Sequence, residues 1–120
     1  MDLINEMKNL GADMDSALER FMGKSQLLEM MLKKLPDSIE QNSGIECDIA
    51  TGNLSNAISK AHTLKGNTGN LSVTPLYKAY TEITDFLRQE KIPEAQVKLQ
   101  EILPVQNKIV ETIKNIFRKF

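Results

Sequence analysis

Apolar residues recur along the chain at intervals of three and four, the spacing that lines one face of an α-helix, while strict alternation of the strand type is scarce. Near the start, Leu3, Met7 and Leu10 share a face, and Gly11 follows as a helix stop. Ser16-Ala17-Leu18-Glu19 has the form of a capping box that opens a short helix through Phe21, ended by Gly23. Leu27, Leu28, Met31, Leu32 and Leu35 make a clear stripe that Ile39 continues. Pro36 falls inside that stripe and predicts a kink or a division of the helix. From Gln41 to Asn53 there is no clean period, and at least part of this stretch reads as a connection.

Asn53 is a good N-cap residue, and Leu54, Ala57, Ala61, Leu64 and Leu71 predict a helix beyond it. Thr74-Pro75 reads as an N-cap with proline at the first helical position, followed by the stripe Leu76, Tyr80, Ile83 and Leu87. Ile92-Pro93 opens a last helix with apolar positions at Leu99, Leu103, Val110, Ile113, Phe117 and Phe120, and Pro104 predicts a bend in it. The fold class is therefore all-α. Four or five amphipathic helices joined by short turns favour antiparallel neighbours in a bundle. A chain of 120 residues suits one domain with one core.

The helix beyond Asn53 contains the sole histidine of the chain, His62, within AHTLKGNTGNLS (61–72). Two glycines follow it, at positions 66 and 69, although glycine in a helix interior costs roughly 1 kcal/mol relative to alanine. At about 100° per residue, with His62 at 0°, Leu54, Ala57, Ala61, Leu64 and Thr68 fall between about −80° and −160°. Around the ring lie Ser55 at about 20°, Ser59 at about 60°, Gly66 at about 40° and Gly69 at about −20°. Ile58 falls at about −40° and Lys65 at about −60°. His62 thus stands away from the core on a ridge stripped of bulk, which suits close approach by another macromolecule. Gly69 alone also fits a left-handed helix end, but a cap needs one glycine and not two. Lys65, at i+3, is a face neighbour whose ammonium can steady an anion attached to the ring. That combination fits a histidine that receives a phosphoryl group.

Charge narrows the alternatives. Fifteen basic residues against sixteen acidic give a formal charge of −1, which argues against a nucleic-acid partner. The one dense basic cluster, Lys114, Arg118 and Lys119, is accounted for by a solvated helix end. One cysteine, Cys47, cannot close an internal disulfide, and with a single histidine it cannot build a zinc site of the usual kind. No apolar run approaches the roughly 20 residues of a membrane span. The opening MDLINEMKNL lacks the layout of a signal peptide, so the expected compartment is the cytoplasm.

His62-Thr63-Leu64-Lys65-Gly66, with Gly69 and Leu71 following, resembles the signature of histidine-containing phosphotransfer (HPt) domains of multistep phosphorelays. The resemblance spans about 15–116, with the specific part confined to 61–71. It implies an antiparallel four-helix bundle, here with a short additional N-terminal helix, and a phosphoacceptor exposed midway along one helix. It implies His62 as the phosphoacceptor and Lys65 as the phosphate-stabilising lysine. Gly66 and Gly69 take the positions that leave room for the partner, with Ser55, Ile58 and Ser59 as further docking candidates. Ser72 departs from the pattern, since the family commonly carries another glycine there.

The implied partners are receiver domains of response regulators or hybrid histidine kinases, whose aspartate exchanges the phosphoryl group with His62. No P-loop-type glycine run and no acidic cluster at metal-ligand spacing around His62 is present. The expectation is a carrier rather than an enzyme, with no cofactor of its own and Mg²⁺ held by the receiver. A free-standing monomer is expected, favoured by the initial Met and the full helix set. The alternatives are the phosphoacceptor domain of a chemotaxis-type histidine kinase, excised from a longer chain, and a helical interaction module without phosphoryl chemistry.

Overall fold

Proline sets three of the helix boundaries. In the computed structural model, which describes residues 2–118 and leaves the Arg118 side chain aside, helices run Leu3–Asn9 (α1), Met14–Arg20 (α2), Ser25–Lys33 (α3) and Leu35–Gln41 (α4). They continue as Ile45–Ala50 (α5), Leu54–Asn70 (α6), Thr74–Arg88 (α7) and Ile92–Arg118 (α8). Pro36, Pro75 and Pro93 each fall in the first turn of a helix, where a missing N–H costs nothing. Pro36 divides the expected long helix at Lys34, which ends α3 and begins α4. Pro104 lies inside α8, which continues through it without interruption. No strand occurs among the described residues. Lys119 and Phe120, and the side chain of Arg118, lie outside the described residues.

Three local expectations shift. The first cap of α2 is Asp13, whose carboxylate accepts from the Ser16 amide at 3.1 Å; Ser16 supplies the donor rather than the cap. Thr74 is the first helical residue of α7 and Val73 its cap, with the Thr74 hydroxyl donating to the Ser72 carbonyl at 3.3 Å. Part of the segment expected as a connection coils into α5, which an ion pair of 2.7 Å from Lys60 to Asp48 ties to α6. At Asn53 the expected cap is present, its side chain accepting from the Asn56 amide at 3.3 Å. Gly11 and Gly23 stop α1 and α2 with φ of 93° and 75°.

The most extensive packing is α6 on α7, followed by α7 on α8. Ala57, Ala61, Leu64 and Thr68 turn the buried face of α6 inward, the face expected from the helical spacing. They meet a core that includes Leu76, Tyr80, Ile83 and Leu87 of α7 and Leu99, Ile109 and Ile113 of α8. Complete burial of a leucine contributes about 1.5–3 kcal/mol, so burying Leu64 offsets the cost of two helical glycines at roughly 1 kcal/mol each. Polar groups that enter this core have partners. The Thr68 hydroxyl donates to the Leu64 carbonyl at 2.7 Å, and the Tyr80 hydroxyl is hydrogen-bonded to Gln106 Oε1. Burial pushes the Tyr80 phenol above its ordinary titration range and nearby Glu46 adds to the rise, while the bond to Gln106 opposes it.

Candidate functional site

His62 sits near the middle of α6, exposed, on the side away from the buried alanines and leucine. It borders a groove of about 420 Å³ that also includes Lys65, Gly66 and Gly69 from the same helix. Four of the expected site residues therefore share one depression. Ser55, Ile58 and Ser59 do not line it: the serines are exposed on α6 nearer its N-terminus, and Ile58 is half-buried, packed against the core. The Ser59 carbonyl accepts from the Thr63 hydroxyl at 2.9 Å, which folds that side chain back on the helix beside the histidine.

The two glycines differ. A Cβ placed on Gly66 meets nothing within 4 Å, so this position is open to the groove and to anything that enters it. A Cβ on Gly69 would lie 2.8 Å from Cδ1 and 2.9 Å from Cε1 of Tyr77. Gly69 is thus the seat of an aromatic ring from α7, and that ring, 40% exposed, forms part of the groove wall. Nor is Gly69 a left-handed cap, because it lies within α6.

The left-handed residue is Ser72, with φ of 52°. The Val73 amide donates back to the Thr68 carbonyl at 2.9 Å and the Ser72 amide to the Gly69 carbonyl at 3.1 Å, a Schellman ending. At the position where the resemblance leads one to expect glycine, serine adopts the conformation that glycine would supply. Its hydroxyl has a use there. Arg20, from the end of α2, places Nη1 2.9 Å from Ser72 Oγ, 3.0 Å from the Gly69 carbonyl and 2.8 Å from the Asn70 carbonyl. A cation on the last carbonyls of a helix C-terminus adds to their hydrogen bonding and complements the helix dipole. The Asp13 amide adds a bond of 2.8 Å to the Ser72 carbonyl. The N-terminal helices are in this way fastened to the end of the helix that carries His62, and Asp13, Arg20, Asn70, Ser72 and Thr74 complete the groove.

Its charge is positive. Among the described residues, neither Lys65 nor Arg20 has a carboxylate within ion-pair distance, and the Asp13 carboxylate is occupied as the cap of α2. Among those residues no group of three or more His, Cys, Asp and Glu side chains could hold a metal ion, and no helix is long and apolar enough to cross a membrane. The groove thus offers an exposed imidazole, an unpaired ammonium at i+3, a bare backbone at Gly66 and an aromatic edge. That set can receive an anionic group on the ring and admit a partner's surface against the helix. Arg20 and Tyr77 carry no local sequence signal for this place, since both reach it through packing between helices. No family model, curated protein or solved structure matches the chain.

Proposed function

We propose that this protein is a phosphorelay intermediate of two-component signalling, in which His62 accepts a phosphoryl group and passes it to an aspartate of a receiver domain. The observation that carries the reading is the exposed His62 beside an unpaired Lys65, on a helix face that Gly66 leaves open. The helices α6, α7 and α8, with the α3–α4 pair, form the four arms of an antiparallel bundle in this reading, with α1 and α2 as the N-terminal addition.

Transfer depends on alignment and on neutralising charge. The lone pair of the unprotonated ring nitrogen forms the N–P bond as the acyl O–P bond of the aspartyl phosphate breaks, and the aspartate carboxylate leaves. The reverse sequence returns the group to an aspartate. Lys65 supplies positive charge to the phosphoryl oxygens throughout. The metal ion and the acidic pocket belong to the receiver, so this chain is a carrier and substrate of the reaction. Gly66 lets the receiver's loops come within reach of the ring.

Incubation with a phosphorylated receiver domain should place an acid-labile, base-stable label on the wild-type chain. His62→Gln should abolish that label, and Lys65→Ala should slow transfer or shorten the life of the phosphohistidine while the fold is retained. Equal labelling of wild type and His62→Gln would falsify the reading. A helical interaction module is the second reading, favoured by the exposed apolar surface at Met22, 81% accessible, and Met30, 59% accessible. It requires that no label appear on His62 at all.

A further inference from the structure

Arg20 does more in this groove than fasten a helix end. All three of its hydrogen bonds use one nitrogen, Nη1, leaving Nε and Nη2 without a partner among the described residues. No carboxylate pairs with it there either. A guanidinium held by one nitrogen keeps its remaining donors in a fixed plane, ready to take a carboxylate in charge-assisted bonds. Because the side chain is already immobilised, little conformational entropy remains to be lost on binding.

Distance decides what those donors meet. Nη1 rests on the carbonyls of Gly69 and Asn70, seven and eight residues beyond His62, which is roughly 10–12 Å along the helix axis. Lys65, three residues from His62, is roughly 4–5 Å away on the same measure. Arg20 is therefore anchored more than one helical turn beyond Lys65, toward the part of the groove that the body of a covering protein would meet.

We propose that Arg20 is a docking residue whose Nε and Nη2 edge takes a carboxylate of the acidic partner that meets His62. The occupant is the receiver domain, and the proposal rests on the phosphorelay reading only for that partner's acidity: a groove with two unpaired cations complements an aspartate-rich surface. The N-terminal helix α2, through this one side chain, then contributes to partner recognition as well as to the fold.

The test is a binding measurement that needs no phosphoryl transfer. A panel of Mg²⁺-bound receiver domains is titrated into the His62→Gln chain by calorimetry at low and moderate salt. Arg20→Met, Arg20→Lys and Lys91→Met are then compared on the same background. Arg20→Met should weaken binding about tenfold and flatten its salt dependence, and Arg20→Lys should recover part of the loss. Lys91→Met removes the same charge at the far end of α7, away from the groove, so it should stay within about twofold of the parent. In the unmutated chain, the Arg20 Nε–H resonance should shift as the receiver is added, a readout that does not depend on how the variants fold.

Unchanged affinity in Arg20→Met, a loss in Lys91→Met equal to that in Arg20→Met, an unmoved Nε–H signal at saturation, or no receiver binding would each overturn the proposal. Docking that depends on Arg20 while His62→Gln labels like wild type would sink the phosphorelay reading and leave this one standing. Normal labelling of His62 with Arg20-independent docking would do the reverse.

Discussion

Gly66 and Gly69 are identical in chemistry and opposite in circumstance. Adding a methyl at 66 meets open space, so Gly66→Ala should raise stability by about 1 kcal/mol through helix propensity alone. At 69 the same methyl would press on the Tyr77 ring at 2.8 Å. The overpacking cost of about 1–3 kcal/mol then exceeds the propensity gain, and Gly69→Ala should lower stability in a denaturant titration. Only 66 also offers a clean functional probe. On the phosphorelay reading, Gly66→Leu should fold normally and fail in transfer, because its bulk would stand where the proposed receiver approaches. A Gly66→Leu chain that transfers at the wild-type rate would remove the case for clearance at that residue.

At the scale of elements, α6 is a poor helix by composition. Its sequence LSNAISKAHTLKGNTGN holds two glycines, three asparagines and four hydroxyl residues in 17 positions. Such residues either compete locally for backbone hydrogen bonds or expose the chain to more conformational freedom. A peptide of residues 54–70 is therefore expected to show little helicity by circular dichroism in water; a strongly helical peptide would contradict this. What makes α6 a helix is burial of Ala57, Ala61, Leu64 and Thr68, the Asn53 cap, and the Arg20 clamp. The burial and the cap were legible in the sequence, because both follow from local spacing. The clamp was not, since Arg20 and Gly69 are 49 positions apart. Other departures have equally local reasons. Asp13 and Ser16 are both good caps, and the choice between them depends on where the chain leaves α1. Six-residue α5 has too short a period to stand out from its polar neighbours. The division at Pro36 needed only the proline, whereas the seating of Tyr77 on Gly69 needed the docking of α7 on α6.

For the whole molecule, the Tyr80–Gln106 bond is the polar link through which α7 and α8 meet inside the core. Because the folded phenol titrates above its ordinary value, the unfolded chain loses that proton first as pH rises. Stability linked to Tyr80 is full below about pH 10 and declines as the pH climbs toward the folded value. Tyr80→Phe should cost about 1–3 kcal/mol near neutral pH, from the unpaired Gln106, and should make the alkaline loss shallower. Melting curves of both chains between pH 8 and 11 check the two effects separately, and parallel curves would mean that Tyr80 does not drive the alkaline limb.

The dependence of α6 on its neighbours has a consequence during folding and turnover in the cell. If residues 54–70 are poorly helical alone, as predicted above, the helix that presents His62 is lost when α7 and α8 let go, and a partly opened chain presents no ordered imidazole, no placed lysine and no groove. On the phosphorelay reading proposed above, a destabilised molecule falls silent instead of passing a phosphoryl group to the wrong acceptor. In that reading, competence for transfer and survival of the native state are one equilibrium, read at two different outputs.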